Sequence, residues 1–129
     1  MKKLSELRSA IKHMFAKRFF RITAGLSLVF FLLSVILPLW QLLPEIKEQV
    51  AIPLHYNIHF GVDLYGVWWR VFTIPLIGFI ILVLNYIVAG IMWPKDKVIS
   101  YFLWTATAVS EFILLVGITF VVLLNLTYI

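Results

Sequence analysis

Three uninterrupted apolar blocks restrict the fold of this chain more than any other feature. They occupy residues 22–44, 71–94 and 98–129, and Glu111 is the one charged residue within them. Each block exceeds the roughly 20 residues that an α-helix needs to cross about 30 Å of hydrocarbon. The apolar residues are continuous, whereas the strands of a membrane β-barrel alternate apolar and polar residues. We therefore predict an all-α integral membrane protein with three transmembrane helices.

The composition and the placement of charge support a lipid environment. Of the 129 residues, 63% are hydrophobic and 13% charged, which is more apolar surface than a water-soluble core of this size can bury. The net charge of +5 is concentrated before the first apolar block, in seven basic residues: Lys2, Lys3, Arg8, Lys12, Lys17, Arg18 and Arg21. This position suits anionic lipid headgroups, and we predict no nucleic-acid partner. Because the sequence has no cysteine, disulfides and thiolate metal sites are excluded.

The positive-inside rule orients the predicted helices. The basic N-terminal segment and the two lysines of the second connection place both on the cytoplasmic side of the cell membrane, so the C-terminal end lies outside. Tryptophan and tyrosine rings fall near both predicted boundaries, Trp40, Trp68, Trp69 and Tyr128 outside and Trp93, Tyr101 and Trp104 inside. One membrane domain, 1–129, is predicted, with an amphipathic cytoplasmic helix 1–18, transmembrane helices 20–43, 67–93 and 99–128, an extended outer loop 44–66 and a cytoplasmic turn 94–98.

The segment before the first apolar block has helical periodicity. Its apolar residues Leu4, Leu7, Ile11, Met14 and Phe15 recur at helical spacing, with charged and polar residues between them. This pattern predicts an amphipathic helix on the cytoplasmic leaflet, or an extension of the first transmembrane helix. A docking helix for a soluble partner is the alternative interpretation.

The outer loop has the period of an extended strand. Two sets of residues alternate in it, the apolar Ile52, Leu54, Tyr56, Ile58 and Phe60 and the intervening Pro53, His55, Asn57 and His59. An isolated strand is unstable in water, so this segment is expected to pair, to lie on the membrane or the helix ends, or to complete the sheet of a partner.

The two histidines of this loop, His55 and His59, raise the possibility of a metal site. Two histidines four residues apart chelate a metal when they share a helix face, but Pro53 and Gly61 disfavour a helix here. In an extended chain the rings of His55 and His59 start about 13 Å apart at 3.3 Å per residue. We therefore predict no metal site and no cofactor, and assign His55, His59 and Asp63 to a polar or hydrogen-bonded loop surface.

A family resemblance rests on the same loop. Its residues are Pro53, His55-Tyr56-Asn57, Gly61, Asp63, Tyr65-Gly66 and, in the next helix, Pro75. They resemble the short extracytoplasmic signature of a widespread bacterial membrane family of unknown function, whose module is similar to the N-terminal part of Sdp-type toxin-immunity proteins. The resemblance covers about residues 44–85.

This sequence departs from that pattern in two places. Gly61 comes one residue late and His59 is extra, and the multi-span remainder of Sdp-type proteins is not part of the sequence, so an immunity function does not carry over. The resemblance implies a recognition or structural role for His55, Asn57, Gly61 and Asp63. His59, on the same polar face, completes the candidate binding residues of the outer loop.

Glu111 is the most unusual residue of the third block. It lies near mid-depth, where an ionised carboxylate is costly and is a functional candidate by default. A protonated carboxyl can donate a hydrogen bond across helices, and Asn85 and Thr107 are the expected partners. Small residues that permit close helix contacts form a stripe on the third helix and continue on the second: Ala106, Ser110, Gly117, Gly78 and Gly90.

The sequence contains no set of residues that we recognise as catalytic. Its six acidic residues are scattered: Glu6, Glu45, Glu48, Asp63, Asp96 and Glu111. We predict a non-catalytic accessory subunit of a membrane complex, or a binding module, that contacts other membrane subunits or a second copy through its outer loop and third helix. The alternative is a homo-oligomeric, proton-coupled transporter or channel that uses Glu111.

Overall fold

The computed structural model describes residues 2–46 and 51–128, so residues 47–50 of the predicted outer loop lie outside the described residues. Helix α1 spans Lys2–Phe15, and α2 spans Arg18–Leu37 and continues through a π-helical turn, Pro38–Leu42, into the short α3, Leu43–Ile46. Two strands follow, β1 at Ile52–Asn57 and β2 at Gly61–Gly66. A 3-10 turn, Trp68–Phe72, leads into α4, Thr73–Met92, and the long α5 spans Lys97–Tyr128.

Within the described residues, three helical stretches are long and apolar enough to cross a membrane. They are Arg18–Glu45, Trp68–Met92 and Lys97–Tyr128, with mean hydropathies of 2.4, 2.5 and 2.3. Their ends agree with the predicted bounds to within two residues. Helix α5 packs along both α2 and α4, which contact each other much less, so α5 is the central helix of the bundle.

The packed interior has two apolar clusters, one at each end of the bundle. The cluster at the hairpin end contains Leu42, Ile52, Val71, Ile118 and Val122. The cluster at the other end, under α1, contains Met14, Phe20, Ala89, Trp93 and Trp104. The level between them is more polar, because it includes buried serine, threonine and glutamate side chains of α2 and α5.

Helix α1 is a separate element that folds back onto the bundle. The backbone becomes extended at Lys17 (φ −79°, ψ 133°), so the interpretation of α1 as a simple extension of the first long helix is wrong. Met14 is buried, and the ring of Phe15 contacts that of Trp104 edge-on at 5.5 Å. Trp93 and Trp104, two of the rings predicted near the inner boundary, are buried in this packing.

The extended segment pairs with residues that follow it, so the all-α class is corrected to a mostly helical fold with one β-hairpin. Strands β1 and β2 are antiparallel, with Ile52 opposite Gly66 and Asn57 opposite Gly61. The register is irregular just after Pro53, which lacks a backbone N–H for the ladder. The chain reverses over residues 58–60, and Gly61 takes φ +76°, a conformation that glycine adopts without steric cost.

Candidate functional site

The hairpin is fixed to the end of α5 by a buried amide. Nδ2 of Asn125 donates hydrogen bonds to the carbonyl of Pro53, at 2.7 Å, and to the carbonyl of Val121 in its own helix, at 2.8 Å. Ile52 is buried beside this contact in the apolar cluster at the hairpin end. Asn125 is not among the residues predicted from the sequence to form a site, although an amide close to the end of an apolar helix is a signal that could have identified it.

The candidate residues of the outer loop meet in the hairpin, where they stabilise its shape. Nδ1 of His55 lies 2.7 Å from Oδ1 of Asp63, across the two strands. The backbone N–H of His59 donates to Oδ1 of Asn57 at 2.9 Å, which closes the turn, and Gly61 supplies the positive φ. Asn57 and Gly61 thus shape the turn, while His55 and Asp63 form a solvent-accessible polar pair on one face.

These histidines do not assemble into a metal centre. In the part of the chain that the structure describes, no three His, Cys, Asp or Glu side chains are close enough together to hold a metal ion. The His55–Asp63 pair is a hydrogen-bonding or charged surface feature, and one imidazole with one carboxylate is fewer ligands than a zinc site uses.

A groove of about 600 Å³ runs between the hairpin and the C-terminal half of α5. Its lining residues are Leu54, His55 and Tyr56 of β1 and Gly117, Phe120, Val121, Leu123, Leu124, Thr127 and Tyr128 of α5. The groove is mainly apolar, and its polar members are His55, Tyr56, Thr127 and Tyr128. Such a volume and lining are typical of binding clefts in proteins.

Gly117 is the first residue of α5 that lines this groove, and it leaves that end of the groove open because it has no side chain. A β-carbon at Gly117 would meet no heavy atom of the described residues within 4 Å outside its own helix backbone, so the bundle itself does not use this glycine for packing. Phe120, one turn further along α5, is 67% exposed. A small residue beside an exposed ring offers a partner helix close access to the α5 backbone.

The tip of the hairpin is apolar and exposed. Ile58 and Phe60 lie in the turn and are 82% and 84% exposed, and Trp69 and Trp40 are also exposed at the same end of the bundle. Large apolar side chains on an unpaired tip are costly in water, and they are common at interfaces with lipid or protein.

The polar residues in the middle of the bundle are arranged differently from the prediction. Nδ2 of Asn85 on α4 donates to Oγ1 of Thr107 on α5 at 2.8 Å, and the Thr107 hydroxyl donates to the carbonyl of Leu103 at 2.8 Å. The side chain of Glu111 is fully buried, and neither of its oxygens has a hydrogen-bond partner among residues 2–46 and 51–128. The expected bonds from Glu111 to Asn85 or Thr107 are therefore absent from the described structure.

The carboxyl of Glu111 instead lies against a glycine of the neighbouring helix. A β-carbon at Gly78 on α4 would lie 2.7 Å from Oε2 of Glu111, so this space exists because residue 78 has no side chain. Gly90, further along α4, is covered by α1, since a β-carbon there would lie 2.7 Å from Cγ1 of Ile11. The predicted small residues therefore do not form one common contact surface. Gly78 and Gly90 are buried in two different contacts, Gly117 is open to the groove, and Ala106 and Ser110 are half-buried.

Comparison with known proteins gives this chain no relative. No protein-family model, curated protein or solved structure matches it.

Proposed function

We propose that this chain is a non-catalytic, three-span protein of the cell membrane that acts as a binding module or accessory subunit. Its binding surface is the groove between the hairpin and the outer half of α5, and its partner is an apolar helix of another membrane protein. The observation that carries the proposal is the groove itself, which lies open between the hairpin and α5 and is not filled by any side chain of residues 2–46 and 51–128.

The membrane placement rests on the three long apolar helices and on the distribution of charge. Seven basic residues lie before the first long helix or in its first turn, and two lysines, Lys95 and Lys97, lie at the connection between the second and the third. By the positive-inside rule this distribution supports a cytoplasmic position for both segments. The hairpin and the groove then face the outer leaflet. This arrangement exposes the apolar tip of the hairpin, Ile58 and Phe60, to the membrane interface or to a partner.

The length of the groove suits a helix as the occupant. From Gly117 to Tyr128 the groove follows about 16 Å of α5 at 1.5 Å per residue, which is three turns of a partner helix lying alongside. Gly117 lets the two backbones approach, and Phe120 packs beside them. The partner is expected to be apolar over these turns and to carry a hydrogen-bonding group near its outer end, where His55 and Asp63 lie.

The resemblance of the outer loop to the Sdp-type module is consistent with a recognition role. Of the residues that carry it, Asn57 and Gly61 shape the turn, and His55 and Asp63 form the polar pair beside the groove. On this proposal the signature residues hold a hairpin in place over a binding surface. A catalytic role is not proposed for any of them.

The alternative, a homo-oligomeric proton-coupled transporter or channel, is supported by one observation. Glu111 is a buried carboxyl without a hydrogen-bond partner in the described residues, as expected of a group that exchanges a ligand or a proton. Its complete burial inside one chain, against Gly78, counts against a pore lined by Glu111 from several copies. We therefore rank the binding module first.

Purification in a mild detergent with measurement of the particle mass tests the proposal. The wild-type chain is expected to run heavier than one copy, with a second polypeptide associated. Gly117→Phe fills the groove and is expected to release the partner, whereas Gly25→Phe, the same change at an exposed glycine of α2, should leave the particle unchanged. A strictly monomeric wild-type particle with nothing bound would refute the proposal.

A further inference from the structure

A second concavity, of about 770 Å³, lies at the end of the bundle opposite the hairpin. It is enclosed by α1, by the bend that follows α1 and by the connection from α4 to α5. Its polar lining residues are Glu6, Ser9, His13, Lys17 and Lys97, and its apolar walls are Ala10, Ala16, Trp93 and Pro94. We refer to it as the basal pocket. It shares no residue with the groove beside the hairpin.

The fold positions the side chain of Lys97 and the backbone of Lys17 at the basal pocket. Lys97 is the first residue of α5, and its Nζ lies 5.5 Å from the centroid of the buried Trp93 ring, a cation–π distance. Lys17 lies at the bend between α1 and α2, where its backbone N–H donates to the carbonyl of Met14 at 3.1 Å. Ile11 lies close against Gly90, and this packing keeps α1 against α4 beside the pocket.

The polar groups of the basal pocket are mainly donors. Two ammonium groups, an imidazole ring and a hydroxyl provide N–H and O–H groups of the kind that bind phosphate oxygens, and Glu6 is the one carboxylate among the lining residues. The N-terminus of α5 is not available to an anion, because Oδ1 of Asp96 already accepts the N–H of Val98 at 2.8 Å. The two lysines therefore dominate anion binding here.

We propose that the basal pocket binds the phosphate headgroup of an anionic phospholipid of the cytoplasmic leaflet. This inference rests on the membrane placement proposed above, which puts the pocket at the level of the cytoplasmic headgroups. Basic pockets between helices on this side of a membrane bind such headgroups. The apolar walls, Trp93 and Pro94 among them, can make van der Waals contacts with the glycerol and upper acyl carbons of a lipid. A free phosphate ion has no apolar part that could make such contacts.

The test is lipid binding measured by native mass spectrometry on protein reconstituted in phosphatidylcholine nanodiscs, with phosphatidylglycerol titrated in. Lys17→Gln and Lys97→Gln are each expected to weaken phosphatidylglycerol binding by about fivefold, and the double variant by about 25-fold. Glu6→Gln is expected to tighten binding by about fivefold, because it removes the one carboxylate from the lining. Lys3→Gln, on α1 outside the lining, is the control and should change the affinity by less than about twofold.

Three results would overturn this inference. If Lys3→Gln weakened phosphatidylglycerol binding as much as Lys17→Gln or Lys97→Gln, the lipid would be held by diffuse electrostatic attraction and not by the pocket. Unchanged affinity in the double variant would exclude the pocket as the binding site. Inorganic phosphate that bound as tightly as phosphatidylglycerol would identify a site for the free ion. Thermal unfolding of each variant confirms that it remains folded. The membrane placement fails separately, if the wild-type chain does not insert into phosphatidylcholine bilayers at all.

Discussion

Asn125 of α5 and Pro53 of β1 are joined by a hydrogen bond of 2.7 Å, from the side-chain amide to the backbone carbonyl. The two residues are 72 positions apart in the sequence, and the donor is buried. A two-stranded hairpin is marginally stable alone, so its position over the groove depends on such contacts with the helices. The amide therefore couples the shape of the proposed binding surface to the packing of α5.

Loss of this amide is expected to free the hairpin while the bundle stays folded. Asn125→Leu leaves the carbonyl of Pro53 without its donor, a change that typically costs about 1–3 kcal/mol locally. Hydrogen exchange should therefore accelerate at the amides of β1 and β2 and remain slow in α4 and α5. Thr119→Val, which removes a hydroxyl bonded only to the carbonyl of Leu115 in its own helix, is the control and should leave exchange in the hairpin unchanged.

Replacement of Glu111 by an apolar residue of similar shape is expected to stabilise the bundle. Its carboxyl is buried without a hydrogen-bond partner in the described part of the chain, so Glu111→Met removes an unsatisfied group and should gain about 1–3 kcal/mol. Asn85→Leu breaks the bond to Thr107 and should destabilise by about 1 kcal/mol. Unfolding in detergent measures both changes. A less stable Glu111→Met variant would show that the carboxyl has a favourable contact.

Gly90 is expected to control the docking of α1. A β-carbon at this position would lie 2.7 Å from Cγ1 and 3.2 Å from Cδ1 of Ile11, so Gly90→Ala should displace α1 and destabilise the fold by about 1–3 kcal/mol. Faster hydrogen exchange throughout α1 in this variant would show that the loss of stability comes from the displacement of α1. Gly25→Ala, which meets no described atom within 4 Å, should stabilise α2 by about 0.5–1 kcal/mol.

The helices were predictable from the sequence because their signal is strong and local. The three long apolar stretches were placed to within two residues, since a run of more than 20 apolar residues has few alternatives. The strand β1 was anticipated from the alternation of residues 52–60. Its partner β2 was not, because the alternation in residues 61–66 is short, and strand pairing depends on a turn whose geometry at Asn57 and Gly61 only the structure shows.

The candidate site was harder to predict because it depends on contacts distant in the sequence. His55 and Asp63 were identified as polar loop residues, but their pairing required the register of the hairpin. The partner expected for Glu111 was wrong: Asn85 bonds to Thr107, and Glu111 lies one turn beyond Thr107 against Gly78. Sequence spacing placed all these residues at a similar depth, but the rotation of each helix decides which of them meet.

The proposed orientation makes a direct prediction for labelling, which is simple because the chain has no native cysteine. His59→Cys, at the exposed turn of the hairpin, should react with a membrane-impermeant thiol reagent applied to intact cells. Lys95→Cys, in the connection between α4 and α5, should react only after the membrane is permeabilised. Lys95 is preferable to Asp96, whose carboxylate caps α5. The reverse pattern would invert the topology and move the groove to the cytoplasmic leaflet.

The most direct test of the groove as a binding surface is photo-crosslinking in native membranes, with a benzophenone amino acid in place of Phe120. Phe102, on the same helix outside the groove, is the matched control, because the two rings are 67% and 72% exposed. Position 120 is expected to give one discrete adduct with a second polypeptide, identified by mass spectrometry, and position 102 only lipid adducts. Lipid adducts alone at both positions would contradict the proposal that the groove holds a partner helix.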